Sequence, residues 1–158
     1  MDAITLARAL HILGVVHWIG GVAMVTLVLL PGLTRHVAAE ARLGLFEMIE
    51  GRFAAQARIS TQIVGATGFY MTHRLDAWDR FLHPADFWWM HLMVAIWTVF
   101  TFVLFVAEPL FLHRWFHARA LRDATGAFRI VQRMHIILLS LSLIAVGGAA
   151  LGAHGGLP

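Results

Sequence analysis

The residues of this sequence best suited to chemistry are its histidines, which number 10 in 158 residues. Four of them, His11, His17, His91 and His135, lie in long stretches that are otherwise apolar. An ionisable side chain within a membrane is costly and is a functional candidate by default, whereas the structural alternative is a hydrogen bond between helices. The set favours a function, and imidazole is a common metal ligand.

His11 and His91 have matching positions in the stretches that hold them. Each lies about six or seven residues from the middle of its predicted helix, roughly 9–10 Å toward the same side. Two imidazoles at one depth on different helices predict axial ligands for one haem b iron. His17 and His135 match less well in depth, and they are weaker candidates for a second haem or for a quinone or proton site.

A stripe of residues on one helix face follows His11. Gly14, Trp18 and Gly21 come three, seven and ten residues later, and a helix places these intervals on one side. Glycines at this face would let a flat macrocycle approach the backbone, or would let two helices pack closely. We therefore take Gly14, Trp18 and Gly21 as candidates to shape a haem pocket.

Two arginines, Arg8 and Arg74, are expected on the same side as His11 and are the candidates to pair with haem propionates. Zinc fits less well, because it needs about three or four close protein ligands and only two histidines share a level. Copper is the alternative metal, since Met24, Met90 and Met93 add soft ligands to the histidines.

The elements that must position these residues are stretches without any Asp, Glu, Lys or Arg. Three of them, 9–34, 87–107 and 134–158, exceed the ~18 residues that a spanning helix needs, and a shorter one covers 59–73. The chain is 59% hydrophobic and 13% charged, against about 25% charged in soluble domains. These features predict an all-α integral membrane four-helix bundle, a single transmembrane domain with helices at about 4–30, 52–72, 87–108 and 129–152 and an amphipathic segment at about 37–50.

Two boundaries of this scheme depend on single residues. The breakers Pro31 and Gly32 are expected to end the first helix. The second span must begin near residue 52 to be long enough, so Arg58 falls inside the membrane or at its edge. There it is expected to snorkel or to pair with Glu47 or Glu50, or to be an ordinary interfacial arginine.

The basic residues are all arginines, and their distribution predicts the orientation of the chain. The positive-inside rule puts nine of the twelve in the cytoplasm and both termini outside, in a bacterial-type cytoplasmic membrane. Topology explains this charge more simply than nucleic acid does. The chain has no Cys and no Lys, which excludes disulfides, iron–sulfur clusters and Schiff-base chemistry. The nine arginines are Arg35, Arg42, Arg52, Arg58, Arg114, Arg119, Arg122, Arg129 and Arg133.

Several segments together resemble a known family. Residues 10–21, Leu-His-Ile-Leu-Gly-Val-Val-His-Trp-Ile-Gly-Gly, resemble the first helix of the HemJ-type protoporphyrinogen oxidases and of the related CopD-like membrane domains. Residues 46–53 are similar to the segment before their second helix, and residues 89–92, Trp-Met-His-Leu, to the opening of their third. The resemblance implies a four-helix membrane protein with b-type haem, in which His11 and His91 match the ligand positions.

The chain departs from the HemJ pattern at three places. Met93 stands where that pattern has a Lys, residues 132–135 replace an Asn-Glu-x-Pro element, and residues 29–31 lack an Arg. The resemblance links these polar groups with the porphyrin substrate, so it favours haem binding over porphyrinogen oxidation. Either way, a short repeat, Leu-His-Ile-Leu at 10–13 and Met-His-Leu-Met at 90–93, indicates a duplicated hairpin.

The function predicted from the sequence is electron transfer by a membrane-embedded b-type haem protein, with a quinone or a redox partner protein. The first alternative is HemJ-like protoporphyrinogen oxidation, which would make the chain an oxidoreductase enzyme. The second, of another class, is CopD-like copper transport or a non-catalytic membrane subunit. The lipid bilayer is the expected partner, and the sequence leaves open whether the chain forms an oligomer.

Overall fold

Four long helices make up nearly all of the part of the chain that the computed structural model describes, residues 2–153, and these residues form no strand. The predicted all-α four-helix architecture is confirmed. A short 3-10 helix, Trp78–Leu82, lies in the connection between the second and third helices. The long helices are α1 (Ala3–His36), α2 (Ala39–Arg74), α3 (Trp88–Arg122) and α4 (Ala124–Ala153).

The helices pack as two antiparallel hairpins, α1 with α2 and α3 with α4. Both hairpins turn at the same end, where residues 37–38 join α1 to α2 and Asp123 alone joins α3 to α4. Asp123 accepts a hydrogen bond from the Gly126 N–H at 2.8 Å, so it caps the start of α4. We call this end, which holds the nine arginines, the Arg-rich end, and the opposite end, with residues 75–87, the loop end.

Helix α2 is continuous and contains both the amphipathic segment expected at about 37–50 and the span expected at about 52–72. The structure also extends α3 to Arg122, beyond the predicted end near residue 108, and starts α4 at Ala124 instead of residue 129. The sequence therefore predicts the number and order of the helices, while their ends at the Arg-rich end lie farther out.

Helix α1 does not end at Pro31, contrary to the sequence expectation. Residues 25–29 wind as a π-helix, in which the Leu30 N–H donates to the carbonyl of Val25, five residues back. The wider turn accommodates the proline ring, which would clash with a carbonyl in a regular helix. In this register the Thr26 carbonyl lacks a partner because Pro31 has no N–H, and Gln132 of α4 donates to it at 2.8 Å. We call this arrangement the neutral node.

Helix α3 repeats the arrangement at Pro109. Residues 103–112 form a π-helix around this proline, and the carbonyl five residues before it belongs to Leu104. Arg58 of α2 donates its Nε–H to that oxygen at 3.0 Å and pairs through its guanidinium with Glu108. The sequence expectation that Arg58 pairs is met, but its partner is on α3 and not Glu47 or Glu50. We call this arrangement the charged node.

Two clusters of buried side chains hold the bundle together. The first surrounds Trp18 of α1 and Phe100 of α3, whose rings meet edge to face with centroids 4.8 Å apart. The second lies toward the Arg-rich end, where the fully buried Phe128 contacts Phe46 and Phe116. The two clusters fix the inner faces of the four helices.

Helices α1, α3 and α4 are long and apolar enough to cross a membrane by length and composition. Helix α2, which carries Arg52 and Arg58, is not among them. Large apolar side chains are nevertheless exposed on all four helices, including α2, where Ile59 and Phe69 are each 65% exposed. The described part of the chain is thus compatible with a multi-pass membrane protein.

Candidate functional site

His11 lies on the side of α1 that packs against α2. Its Nδ1 is 3.1 Å from the Val64 carbonyl oxygen and 3.0 Å from the Thr67 hydroxyl oxygen. A Cβ added at Gly68 would lie 3.3 Å from the Cε1 of His11. The ring is therefore packed against the backbone of α2, where glycine allows its close approach.

His91 lies near the start of α3, where its ring contacts the loop end. Its Nδ1 is 3.1 Å from the Phe87 carbonyl oxygen, and its Nε2 is 3.2 Å from that of Phe81. The ring also meets the Phe81 ring edge to face, with centroids 5.4 Å apart. Both ring nitrogens of His91 are thus within hydrogen-bonding distance of backbone carbonyl groups.

The buried face of α3 points away from His91. Ile96 and Phe100, five and nine residues later, are buried in the bundle. At about 100° per residue these positions are roughly 140° and 180° around the helix from His91. His11 contacts α2 and His91 contacts the loop end, and the two rings share no contact in the described residues. Coordination of one haem by this pair stays a prediction.

The glycines that follow His11 serve close contact between α1 and α2. A Cβ at Gly14 would lie 2.8 Å from the Val64 side chain, and one at Gly21 would lie 2.0 Å from the Phe53 ring. Side chains of α2 therefore occupy the room that the sequence assigned to a macrocycle. Trp18, the third member of the stripe, has a different position and lines a cavity between the helices.

Three further candidates from the sequence, two arginines and a histidine, lie at the surface. Arg8 and Arg74 are exposed near the loop end, on α1 and α2. His17 is exposed on the outer side of α1, next to the buried Trp18. None of these three lines the cavity that receives Trp18.

A cavity of about 160 Å³ lies between the four helices, in the half of the bundle nearer the Arg-rich end. All four helices contribute to its wall, which is mostly apolar. We call it the central cavity. Its lining includes Trp18, Val22 and Val25 of α1, Phe53, Ala54 and Ala57 of α2, Val99, Phe100 and Leu104 of α3, and Val131, His135 and Leu138 of α4.

Two polar side chains stand out in the apolar part of this lining. Trp18 is only 4% exposed, and its indole N–H has no hydrogen-bond partner in the described part of the chain. His135 of α4 also lines the cavity, with its Nδ1 2.9 Å from the carbonyl oxygen of Val131. A proton on Nδ1 would donate to that carbonyl and leave Nε2 as an acceptor.

Carboxylates and histidines close the central cavity toward the Arg-rich end. Glu50 of α2, with Glu108 and His113 of α3, forms part of the lining. Glu47, one helical turn before Glu50, lies 2.8 Å from the Nδ1 of the exposed His117. We call these five residues the acidic cluster.

Glu50 lies just before the predicted span 52–72. Burial raises the pKa of its carboxyl group above the ordinary value. The neighbouring Glu108 raises this pKa further, whereas His113 and Arg58 lower it. The protonated form of Glu50 is therefore favoured more strongly than in water.

The acidic cluster is not predicted as a site from the sequence, where Glu47 and Glu50 are considered only as partners of Arg58. A signal was nevertheless present, since Glu108 directly precedes Pro109 at the end of an uncharged stretch. A carboxylate beside an expected helix breaker, within reach of a lone arginine on the preceding span, indicates a polar site at that depth.

The described residues hold no group of three or more His, Cys, Asp or Glu side chains that could bind a metal ion. Comparison with known proteins gives no match to a family model, to a curated protein or to a solved structure. The site therefore has to be interpreted from its own geometry.

Proposed function

We propose that this chain is a multi-pass membrane protein of electron transfer that binds the ring of a lipid-soluble quinone in its central cavity. The observation that carries the proposal is the indole N–H of Trp18, which is buried in an apolar wall without a partner. A buried donor without an acceptor costs about 1–3 kcal/mol. A quinone carbonyl oxygen is an acceptor that would satisfy it, on a molecule that is otherwise apolar.

The size of the cavity also supports a single ring. Its volume of about 160 Å³ is close to that of an engineered apolar cavity of ~150 Å³ that binds benzene. A porphyrin macrocycle contains four such rings and would require the walls to move apart. A quinone needs room only for its head, because its isoprenoid tail can leave between two helices into the lipid.

His135 supplies the second polar contact that a quinone needs. With Nδ1–H donating to the Val131 carbonyl, its Nε2 accepts a hydrogen bond from the hydroxyl of the reduced quinol. Trp18 of α1 as a donor and His135 of α4 as an acceptor therefore suit the oxidised and the reduced ring in turn. A redox partner protein would supply or receive the electrons.

The proposal places all four helices across a bacterial-type cytoplasmic membrane. The exposed apolar side chains of α2 support a fourth span, although Arg52 and Arg58 lower its hydropathy. The nine arginines at the Arg-rich end support a cytoplasmic location for that end, with both termini outside. The central cavity then lies in the cytoplasmic half of the bilayer.

Binding of b-type haem is the second candidate, with His135 in place of the pair His11 and His91. The observation in its favour is the Val131 carbonyl within hydrogen-bonding distance of the Nδ1 of His135, because metal-ligating histidines commonly donate their other ring N–H to such a carbonyl. This candidate requires a wider cavity than the structure has. An absorption spectrum of the purified protein, with and without dithionite, tests it directly through the Soret band.

The quinone proposal is tested by the substitution Trp18→Phe, which removes one N–H donor and keeps an aromatic ring. Binding of a short-chain quinone to the purified protein, measured by calorimetry, should weaken about tenfold, the equivalent of one hydrogen bond. The matched control is Trp97→Phe, because the Trp97 indole N–H already donates to the Thr61 carbonyl at 2.8 Å.

The control variant is expected to lose stability and to keep its quinone affinity. Equal affinities of wild type and Trp18→Phe would remove the indole from the site. No binding by the wild-type protein, or a haem spectrum in its place, would overturn the proposed function.

A further inference from the structure

The acidic cluster links the central cavity to the surface of the Arg-rich end. Glu50 and Glu108 line the cavity, and His113, which lines it too, is exposed. Glu47 lines the cavity as well, and it is paired with His117, whose side chain is 47% exposed. Proton-carrying groups therefore follow one another from an apolar chamber to water.

Charged or titratable groups surround Glu50 on three of the four helices. Helix α2 contributes Arg58 and Glu47, α3 contributes Glu108 and His113, and α4 contributes His135 to the same cavity. The lining from α1 consists of Trp18, Val22 and Val25, which do not titrate. Arg58 is paired with Glu108 and His117 with Glu47, so Glu50 is the carboxylate of the lining that has no ion pair among residues 2–153.

A purely structural role accounts for Arg58 and Glu108 but not for Glu50. The Arg58 side chain already has two partners, the Leu104 carbonyl and Glu108. Placing a second carboxylate next to Glu108 in a half-buried position is destabilising unless it carries a proton. The cluster also borders the central cavity, whose wall contains Trp18 with its buried, unpartnered N–H.

We propose that the acidic cluster is a proton path between the central cavity and the aqueous phase at the Arg-rich end. Glu50 is the residue that holds the proton nearest the cavity, and the pair of Glu47 and His117 exchanges it with water. The inference deepens the proposed function and rests on it for its purpose. Each two-electron reduction of a quinone forms two O–H bonds, and the path would deliver those two protons while the redox partner delivers the electrons.

The first test needs no quinone, so its failure is separate from a failure of the proposed function. Infrared spectra of the purified protein in lipid, recorded across a pH titration, should show a protonated carboxyl C=O band that persists above the range in which an ordinary Glu ionises. The band should be absent from Glu50→Gln. It should persist in Glu40→Gln, the matched control, because Glu40 is exposed on the same helix.

A band that is missing from the wild-type protein, or that Glu50→Gln leaves unchanged, would overturn the assignment of the proton to Glu50. Since both glutamine variants keep the shape of the side chain, loss of the fold is separable from loss of the band. Circular dichroism of each variant provides that check.

The second test concerns the exit of the path. On transfer into D₂O the carboxyl band shifts as its proton exchanges, and the double variant Glu47→Gln/His117→Phe should slow this shift about tenfold. The control is His36→Phe, which removes an exposed histidine at the same end and should exchange as the wild type does. An unchanged rate in the double variant would overturn the proposed exit.

Discussion

Helices α1 and α3 each contain a proline that leaves a backbone carbonyl group without its donor, and a different side chain donates to that carbonyl in each helix. In the neutral node, an amide from α4 donates to the carbonyl that Pro31 leaves without a partner. In the charged node, a guanidinium from α2 donates to the equivalent carbonyl of α3 and also pairs with Glu108. Each helix that carries a proline is thus served by the second helix of the other hairpin.

The difference shows which groups of the charged node are not required to satisfy the backbone carbonyl. Gln132 is sufficient to satisfy a carbonyl freed by a proline, so the positive charge of Arg58 and the carboxylate of Glu108 are not required for that purpose. Glu108 also lines the central cavity, whereas Leu30 is the residue that precedes Pro31 in the neutral node. The charge therefore appears in the node that contributes one of its own residues, Glu108, to the lining of the proposed site.

The largest effect is expected from breaking the charged node with Arg58→Leu. The substitution leaves Glu108 without its cation and the Leu104 carbonyl without its donor. Removing one partner of a fully buried ion pair costs about 3–5 kcal/mol. Both side chains here keep part of their surface exposed, 34% and 23%, so we expect a loss of roughly 2 kcal/mol. Reversible unfolding in mixed micelles measures it.

The double variant Arg58→Leu/Glu108→Leu separates the ion pair from the orphaned charge. It should recover part of the lost stability, because no uncompensated carboxylate remains in it. If Arg58→Leu were as stable as the wild type, the pair would be a surface contact and the contrast between the two nodes would disappear.

The nodes also show where sequence-based prediction ended. The sequence predicts that Pro31 ends α1, because a regular helix cannot accommodate the proline ring. The π-helix and the donor on α4 that allow the helix to continue depend on tertiary packing. Arg58 was assigned partners near it along the chain, since nothing in the sequence reveals which helix lies opposite. Three of the four helices follow from uncharged stretches long enough to span a membrane, whereas the prediction of α2 requires the shorter stretch 59–73 to be extended to residue 52.

The candidate site shows a similar division. The depth of His91 could be counted along its helix, but its direction could not be read from the spacing of two histidines. In the structure, the buried face of α3 includes Met90, Ile96 and Phe100. His91 lies outside this face. Trp18 was predicted to shape a pocket and does line one, although its glycine neighbours pack against α2.

A smaller effect is expected from Gln132→Leu in the neutral node. The substitution removes one hydrogen bond to the Thr26 carbonyl and leaves no charge behind. Hydrogen bonds between helices in membranes are worth about 0.6 kcal/mol on average, with a maximum near 1.7. We expect a loss of about 1 kcal/mol in the same unfolding assay. A loss larger than that of Arg58→Leu would reverse the ranking of the nodes.

The smallest effect is expected from Pro31→Ala, and it tests whether Gln132 is present because of the proline. Alanine restores an N–H that can donate to a carbonyl of the preceding turn, and it removes the ring that favours the wider turn. The single substitution should change stability by no more than about 0.5 kcal/mol, because one donor replaces another. In the Pro31→Ala background, Gln132→Leu should then cost about half of what it costs in the wild type. A double-mutant cycle measures this coupling directly. Strict additivity of the two substitutions would show that Gln132 bonds the Thr26 carbonyl for a reason unrelated to Pro31, and the correspondence between the two nodes would then be coincidental.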